Sequence, residues 1–329
     1  MISSKKVLIT GGAGLIGFTL AKKLLNHGYY VSIFDLKEQL TRRKKEINKL
    51  LSKYPDNFNT ISGTIMDKYS IVNAAKDFNI VVHLAAMLGV RRTEDNKLQC
   101  LNININGTEN VLNACIQYPN IHFILASSSE VYGEPLKNPV SEKDITQGKT
   151  IYAISKLAAE ELVKGYAQSY PNLNYTIVRF FNTYGDGQVA QFVLSKFISR
   201  AREGIPPQVY GDGSQVRSFC HAEDATEAVR LIIENKKSHG KVYNVGNMSQ
   251  KYSLLEAANL VIETISPGSS MKPKIIPFED SDRNISREIF QRNCDCTKVM
   301  SELGYEPLVT LKQGVEAIAK TDIDNDWVI

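Results

Sequence analysis

The chain of 329 residues lacks any apolar run close to the roughly 20 residues that a membrane-spanning helix needs. It also begins without the apolar region of a signal peptide, so we expect a cytoplasmic protein that does not enter a membrane. The net charge of +4 is small for this length and predicts no nucleic-acid partner, although acidic small ligands remain compatible with it. With 43% hydrophobic and 22% charged residues, the composition is that of an ordinary globular protein.

Metal-binding patterns are also lacking. The five cysteines form no C-x-x-C pair and stand beside no histidine cluster. Cys294 and Cys296 suggest a metal or redox site, but two thiols without further ligands seldom hold a metal. We therefore expect no metal, and five reduced cysteines with structural roles. Repeats, low-complexity tracts and long linkers are absent as well, which predicts that the regions of the chain do not fold independently.

What is present begins with a glycine-rich turn at residues 10–17, between an apolar run at 7–9 and a segment with helical periodicity. Glycine there suits a tight turn, the close approach of a pyrophosphate and the close packing of a helix on a strand. The helix N-terminus offers free N–H groups and the positive end of its dipole to phosphates. The candidate dinucleotide-binding residues of this turn are Gly11, Gly14, Leu15, Ile16 and Gly17.

The next predicted strand, 29–35, ends in Asp35, at the interval expected for an acid that accepts hydrogen bonds from the adenosine ribose. This carboxylate would repel the additional phosphate of NADP, so the predicted cofactor is NAD. The basic run 42–45 lies close by and complicates that choice. We interpret the run as the solvated face of a helix over about 37–53.

Strand and helix patterns alternate through the first 180 residues, which predicts an α/β fold with a doubly wound parallel sheet. After Gly185 the rhythm loosens, and short strands such as 208–210 and 242–244 alternate with helices. We predict an NAD-binding Rossmann domain over 1–184 and a smaller α/β substrate-binding region over 185–329, partly interleaved with the first. The strands expected in the first domain are 5–10, 29–35, 58–64, 80–84, 121–127 and 175–181, with helices at about 15–27, 69–78, 97–118 and 151–169.

A candidate catalytic pair is Tyr152 and Lys156, which stand four residues apart at the start of a predicted helix and so share one face. A lysine there can lower the pKa of the tyrosine, whose phenolate then removes a proton from a sugar or alcohol hydroxyl. The spacing alone also arises by chance. The serines at 127–129, however, follow a predicted strand and reach the carboxyl edge of the sheet, where such folds bind ligands. They are also compatible with a turn and a helix cap.

These motifs together resemble the extended short-chain dehydrogenase/reductase family, particularly its NAD-dependent nucleotide-sugar epimerases, dehydratases and decarboxylases. The resemblance covers nearly the whole chain, and its motifs occur in the order of the family. Besides the glycine turn, Asp35, the serine run and the Tyr152/Lys156 pair, the matching segments are 63–67, 83–86, 104–108, 179–185, 209–219, 295–298 and 303–305.

The resemblance implies that Tyr152 is the base, that Lys156 holds the nicotinamide ribose and that Ser128 hydrogen-bonds the reacting hydroxyl. It implies that Asn182 and Arg217 grip the diphosphate of a nucleotide sugar, a task for which the planar guanidinium is suited. It also implies a homodimer formed through the two helices at about 97–118 and 151–169. Further candidates are Ile65, Asp67, Leu84, Ala85, Ala86 and Asn104 for NAD, and Ser129 and Arg91 for the substrate. A second phosphate contact is expected from Arg287, with Arg283 and Arg292 as alternatives, because the motif agreement in that segment is loose. Surface solvation is the other interpretation of these three arginines.

Members of this group all begin by oxidising C4 of the sugar, and they differ in the fate of the 4-keto sugar. Thymidine-nucleotide dehydratases carry an Asp-Glu pair where this chain has Ser129-Glu130, so the acid needed for that elimination is absent. Ser-Glu is expected in uronate decarboxylases and in guanosine-nucleotide dehydratases, which makes Glu130 a further candidate catalytic residue. A glutamate there also occurs in chains resembling epimerases, where it can be structural.

The segment 87–92 resembles the epimerase loop more than the proline-rich loop of decarboxylases. Its Arg91 and Arg92 indicate either an acidic sugar or mere surface charge. We therefore predict a nucleotide-sugar 4-epimerase working through a transient 4-keto sugar, with 4,6-dehydration, uronate decarboxylation and net 4-oxidation as alternatives. A non-catalytic NAD-binding regulator is disfavoured, because Ser128, Tyr152 and Lys156 are all present.

Overall fold

The computed structural model describes residues 5–188, 192–280 and 288–320, apart from the side chains of residues 90 and 91. The strands are β1 (Lys6–Thr10), β2 (Tyr30–Asp35), β3 (Phe58–Ser62), β4 (Ile80–His83), β5 (His122–Ser128), β6 (Asn174–Phe180), β7 (Thr183–Tyr184), β8 (Gln208–Tyr210), β9 (Val216–Ser218), β10 (Cys220–His221), β11 (Lys241–Val245), β12 (Lys251–Ser253), β13 (Lys274–Ile276) and β14 (Gln291–Arg292). The helices are α1 (Leu15–Asn26), α2 (Lys37–Arg42), α3 (Lys44–Lys53), α4 (Lys68–Ala75), α5 (Val90–Asp95), α6 (Lys97–Leu101), α7 (Gly107–Cys115), α8 (Ile151–Ser169), α9 (Val193–Arg202), α10 (Ala222–Glu234), α11 (Leu254–Ile265), α12 (Thr297–Leu303) and α13 (Leu311–Ala319).

Seven of these strands form one sheet in the order β3-β2-β1-β4-β5-β6-β11. Every pairing in it is parallel. Successive residues of β1 face opposite sides: Val7 and Ile9 belong to one buried cluster and Leu8 to the other. Because helices cover both faces, the central strands β1 and β4 are largely apolar and buried, as strands of parallel sheets are. The predicted α/β doubly wound sheet is confirmed, and its carboxyl edge is where ligands of such folds bind.

Two predicted helices are interrupted, each at a buried polar residue. The helix expected over 97–118 contains a π-helical turn at Asn102–Asn106, where Asn104 is only 2% exposed. The helix expected over 37–53 breaks at Arg43, whose guanidinium carbon lies 4.6 Å from the ring centroid of Phe18 and which donates a hydrogen bond to the carbonyl of Gly187. Helical periodicity does not report such long-range contacts, so the sequence predicted both helices as continuous. The basic run at 42–45 is therefore not wholly a solvated face, since Arg43 is buried.

Strands of the second region, together with β7 at the end of the first, form three small sheets, β10–β7, β12–β9–β14 and β13–β8. A separate cluster of buried side chains comes from α9, α11 and α13. Part of the second region joins the first layer. β11 is the outermost strand of the large sheet, and Ala225 and Val229 of α10 share a buried cluster with Leu20 and Leu24 of α1. The division of the chain into two regions at residue 184 stays a prediction.

The five cysteines are buried free thiols, and the sulfurs of Cys294 and Cys296 lie 2.8 Å apart. Within the described ranges, no group of three or more histidine, cysteine or acidic side chains is arranged to hold a metal ion. In the same ranges, no helix combines the length and apolarity needed to cross a membrane.

Candidate active site

The glycine turn connects β1 to α1 and is packed too closely for side chains. Gly11 has a φ of +69°, and a Cβ atom there would lie 2.6 Å from the backbone nitrogen of Ala85. A Cβ on Gly17 would lie 2.5 Å from the carbonyl oxygen of Gly11. The close packing of the turn against the loop after β4, and of α1 against the turn, therefore requires glycine at these two positions.

The start of α1 is suited to phosphate. Its N-cap residue is Gly14, which provides no side-chain cap, so the first-turn N–H groups face outward at the positive end of the helix dipole. Asp35 lies beside this turn at the end of β2. Its carboxylate accepts hydrogen bonds from the backbone of Ala13 (2.9 Å) and Leu36 (2.8 Å). Burial raises the pKa of Asp35, and these two hydrogen bonds oppose the rise. The residues present therefore fit a dinucleotide with its pyrophosphate on α1.

The remaining predicted NAD residues surround this cradle, but some have structural partners. Leu84, Ala85 and Ala86 follow β4 directly, and the backbone of Leu84 donates to the carbonyl of Thr10. Asp67 caps α4 by accepting from the backbone of Tyr69 and Ser70. Ile65 is buried beside Gly107, where a Cβ would lie 2.5 Å from its side chain. Their contacts with NAD stay predictions.

The side chain of Asn104 forms hydrogen bonds within the protein. Its amide oxygen accepts from the backbone of Met87 (2.7 Å), and its amide nitrogen donates to the Met87 carbonyl (3.0 Å) and to the hydroxyl of Ser155 (2.9 Å). It therefore joins the loop after β4 to α8, the helix that carries Tyr152. A π-helical turn at this point is consistent with a functional role.

Ser128, Tyr152 and Lys156 lie together at the carboxyl edge of the sheet, as predicted. Ser128 ends β5, while the other two lie on the first turns of α8, which Thr150 caps by accepting from the backbone of Ala153. The side chain of Ser128 lies close enough to the hydroxyl of Tyr152 to lower its pKa. The ammonium of Lys156 donates to the carbonyl of Ala126 (2.9 Å) and lies 5.9 Å from the ring centroid of Tyr152.

The electrostatics of this trio differ in one respect from the sequence prediction. Burial, reinforced by the charge of Glu130, raises the pKa of Tyr152 above its ordinary value. The groups that oppose the rise most are Ser128, through its hydrogen bond, and Arg292, through its charge, rather than Lys156. Burial lowers the pKa of Lys156 to about 8, so the ammonium persists at neutral pH. The expected lowering of the tyrosine pKa by the lysine is therefore outweighed by burial.

Glu130 and Ser129 lie in the 3₁₀ turn that follows β5. Ser129 is buried, and the backbone of Glu130 donates to the hydroxyl of Ser128. The carboxylate of Glu130 accepts from the hydroxyl of Thr150 (3.2 Å), and its charge acts on both Tyr152 and Arg292. The structure therefore places an acid beside the candidate base.

Arg292 is the residue whose position the sequence did not indicate. It lies on β14, is 6% exposed, and its Nε and Nη1 atoms are buried without a hydrogen-bond partner in the described part of the chain. Burial lowers its pKa, and the charge of Glu130 is the largest effect opposing this. A buried guanidinium with unpaired donors is costly unless an anion binds it. The sequence named Arg292 only as one of three arginines for a phosphate.

The segment carrying Arg292 is fixed by the loop after the 3₁₀ turn. The carboxylate of Glu134 accepts from the backbone of Phe290 (2.9 Å) and Gln291 (3.3 Å). Asn138 accepts from the backbone of Asn293 (2.9 Å). The loop that follows the 3₁₀ turn thus holds Arg292 in place.

Arg217 and Asn182, predicted for the diphosphate, lie next to that segment. Arg217 is the direct neighbour of Arg292 across the parallel pair β9–β14. It donates to the carbonyls of Val216 (3.0 Å) and Phe290 (3.3 Å), while Asn182 donates to the carbonyl of Ser218 (3.1 Å). Their diphosphate contacts stay predictions.

Comparison with known proteins agrees with this geometry. A family model described as the NAD dependent epimerase/dehydratase family matches residues 7–246. The chain belongs to this family. It is therefore an NAD-dependent enzyme of the epimerase/dehydratase type, which confirms the predicted cofactor and the predicted resemblance.

Three relatives show the range of reactions in the family. The UDP-N-acetyl-alpha-D-glucosaminuronate decarboxylase of Bacillus cytotoxicus is 35% identical over 98% of this chain and 99% of its own. The UDP-glucuronic acid 4-epimerase of Bacillus cereus, solved with UDP-glucuronic acid and NAD, has a TM-score of 0.83 at 28% identity and covers 95% of this chain and 98% of its own. The UDP-glucose 4-epimerase of Thermotoga maritima, solved with UDP-glucose, has a TM-score of 0.83 at 27% identity and covers 96% of this chain and 97% of its own.

Both the predicted 4-epimerase activity and the alternative of uronate decarboxylation occur among these family members. Two of the predicted substrate residues are not placed: the side chain of Arg91 and the whole of Arg287, like Arg283, lie outside the described residues.

The position of Asp35 predicts the choice of dinucleotide within this NAD-dependent family. We expect NADP to bind at least roughly 100-fold more weakly than NAD, because its phosphate would meet the Asp35 carboxylate. Asp35→Asn keeps the shape of the side chain but removes its charge. It should reduce the ratio of the NADP to the NAD dissociation constant several-fold, as measured by fluorescence titration. Asp67→Asn is the matched control, since it should weaken both dinucleotides equally. Equal affinities in the unaltered protein would contradict the assignment.

Proposed function

We propose that the enzyme oxidises C4 of a UDP-linked hexuronic acid and that the 4-keto intermediate then loses carbon dioxide. The observation that carries the acidic sugar is Arg292, a buried guanidinium with unpaired donors whose charge acts on the candidate base Tyr152. A carboxylate on C5, one carbon from the reacting hydroxyl, is an anion of the right charge for it. Two of the three relatives named above act on UDP-linked uronic acids.

The first step uses the trio at the carboxyl edge of the sheet. Ser128, whose side chain interacts with the hydroxyl of Tyr152, can pass the proton of the C4 hydroxyl to the phenolate of Tyr152. The Lys156 ammonium stabilises that phenolate. The glycine turn, the N-terminus of α1 and Asp35 would hold NAD, which when bound supplies the acceptor for the hydride leaving C4.

Loss of carbon dioxide follows from the chemistry of the product. In a 4-keto uronic acid the carboxylate is β to the ketone, so the bond between C5 and the carboxyl carbon can break with its electron pair moving to the ketone as an enolate. C5 must then take up a proton. Glu130, whose charge acts on both Tyr152 and Arg292, is the residue that we assign to supply this proton from its protonated form. The hydride must also return to C4, and Tyr152 must return its proton to the C4 oxygen, so that the product is a UDP-pentose and no reduced cofactor accumulates. The decarboxylase of Bacillus cytotoxicus, at 35% identity, supports this outcome.

The second candidate is the 4-epimerase predicted from the sequence, supported by the likeness to a UDP-glucuronic acid 4-epimerase and by the segment 87–92. Both outcomes share the C4 oxidation and differ only in what the 4-keto sugar does next. An epimerase turns the keto sugar over and returns hydride to its other face.

One experiment separates these reactions. The purified protein is incubated with NAD and, separately, with UDP-glucuronic acid, UDP-N-acetylglucosaminuronic acid, UDP-glucose and the corresponding thymidine, guanosine and cytidine diphosphate sugars, and the products are identified by NMR. We expect a UDP-pentose from an acidic sugar. A C4 epimer would establish the second candidate. A 6-deoxy-4-keto product would indicate 4,6-dehydration, and accumulating reduced cofactor would indicate net 4-oxidation. Turnover of neutral sugars alone would contradict the acidic substrate.

We also propose that the enzyme is a cytoplasmic homodimer, with the contact formed by α6, α7 and α8. Leu98 on α6 and Ile154 on α8 are large apolar side chains that are nevertheless 83% and 46% exposed, which supports a covered face on these helices. The molar mass in solution tests the dimer.

A further inference from the structure

Beneath the catalytic trio lies a buried polar network centred on Glu160, which follows Lys156 by one turn of α8 and is fully buried. One carboxylate oxygen accepts from the hydroxyl of Ser127 (2.5 Å) and from Nε of Arg179 (2.9 Å). The other accepts from Nη2 of Arg179 (2.6 Å). Both oxygens are therefore occupied, and one of the partners directly precedes Ser128.

The network continues towards the substrate region. Nη1 of Arg179 donates to the hydroxyl of Tyr132 (2.9 Å), which donates to the side chain of Asn244 (2.7 Å). The amide of Asn244 in turn donates to the carbonyls of Val140 (2.9 Å) and Asp295 (3.3 Å). One connected set of hydrogen bonds thus runs from the catalytic strand to the segment that carries Arg292.

Stability alone does not account for this arrangement. Two charges lose their hydration when buried, and well-packed apolar side chains of similar volume often give equal or greater stability than such a pair. The pair also sits directly against the reacting groups, through Ser127 on β5 and through the helical turn shared with Lys156. A role in the reaction is the more economical explanation.

We propose that Glu160 is a positioning residue for the C4 oxidation, which holds Ser127 and hence Ser128 in place and keeps a negative charge one helical turn from Lys156. The assignment rests on the proposed function, since it takes Ser128 and Lys156 to be catalytic. Glu160 itself touches neither the substrate nor NAD.

The charges around Lys156 determine the expected pH effect. Burial lowers the pKa of Lys156 to about 8, whereas Cys100 on α6 and Glu160 on α8 raise it. His83 on β4 also interacts with the ammonium, but burial lowers the pKa of His83 to about 3, so it is neutral. From β5 the facing group is the carbonyl of Ala126, and from α8 the ring of Tyr152. Removing the charge of Glu160 therefore lowers the pKa of Lys156 further.

The test uses Glu160→Gln and the double variant Glu160→Gln/Arg179→Gln. The double variant is needed if the single variant fails to fold, because it does not leave Arg179 buried without its counter-ion. In the NAD-loaded enzyme, we expect the alkaline limb of the pH profile of kcat to move down by about one unit, with KM nearly unchanged. A second measurement needs no sugar: the protein is prepared with ¹³C-labelled lysine, and the NMR signal of the Lys156 Cε is assigned by its absence in Lys156→Arg. We expect this signal to titrate at a pH lower by a similar amount.

Tyr132→Phe is the matched control, because it breaks the same network beyond Arg179 but leaves the charge of Glu160 next to Lys156. It should lower the melting temperature without moving either titration. Unchanged lysine titration in the double variant, or an equal shift in Tyr132→Phe, would overturn the proposal. A shifted lysine titration in a protein that converts none of the sugars would instead overturn the proposed function, and would show only that Glu160 raises the pKa of Lys156.

Discussion

Tyr152→Phe is expected to lower the rate of sugar conversion at least about 1,000-fold while leaving NAD bound. The substitution keeps the buried ring, so the packing at the start of α8 is retained, but it removes the oxygen that takes the C4 proton. Ser128 would then hydrogen-bond the substrate without a base behind it. The measurement pairs kcat, from NMR of the products, with the amount of NAD retained by the purified variant.

The matched control is Tyr29→Phe. Tyr29 is also a buried tyrosine, but its hydroxyl contacts Glu234 (3.3 Å) at the end of α10, away from the catalytic trio. The Tyr29→Phe variant should convert the sugar at the rate of the unaltered enzyme. Near-normal turnover of Tyr152→Phe would show that another group removes the proton.

The raised pKa of Tyr152 bears on how this base works. Burial and Glu130 both disfavour the phenolate, while Ser128 and Arg292 favour it. A substrate carboxylate bound by Arg292 would partly cancel the favourable charge, so the phenolate would depend more strongly on Lys156. The charge of Glu160 raises the pKa of Lys156 and so keeps it protonated. Because the phenolate depends on that ammonium, we expect the charge of Glu160 to affect the rate.

The parts of the site that follow from local rules were predictable from the sequence. A glycine with a φ of +69°, an acid at the end of the second strand and a tyrosine and lysine one helical turn apart are all encoded by neighbouring residues. The α/β class followed from the same local alternation of strands and helices.

The parts that depend on distant contacts were not predictable. Asn104 interrupts its helix because it bonds to Met87 and Ser155, which periodicity cannot show. Arg292 was one of several arginines in a segment with loose motif agreement. Only the pairing of β14 with β9 and the clamp by Glu134 place it beside Tyr152. The reversed balance of the Tyr152 pKa has the same origin, since burial is a property of the fold.

Arg292→Met is expected to lower kcat/KM for the UDP-linked uronic acid about 100-fold, and that for a neutral UDP-sugar less than about fivefold. Methionine has a long, flexible side chain that can fill the space but offers no charge to a carboxylate. The free energy of unfolding should not fall, and we expect it to rise, because a buried guanidinium with two unpaired donors is removed.

The comparison variant is Arg179→Met, which removes an equally buried arginine that is fully bonded to Glu160 and Tyr132. It should lower the free energy of unfolding by several kcal/mol, about 3 to 5, because it leaves a buried carboxylate without its partner. The opposite signs of the two stability changes would show that Arg292 is held ready for a ligand rather than for the fold. If Arg292→Met instead lowered kcat/KM to the same extent for acidic and neutral sugars, the arginine would contact the diphosphate that these substrates share. The proposal of a uronic acid substrate would then have to rest on other residues.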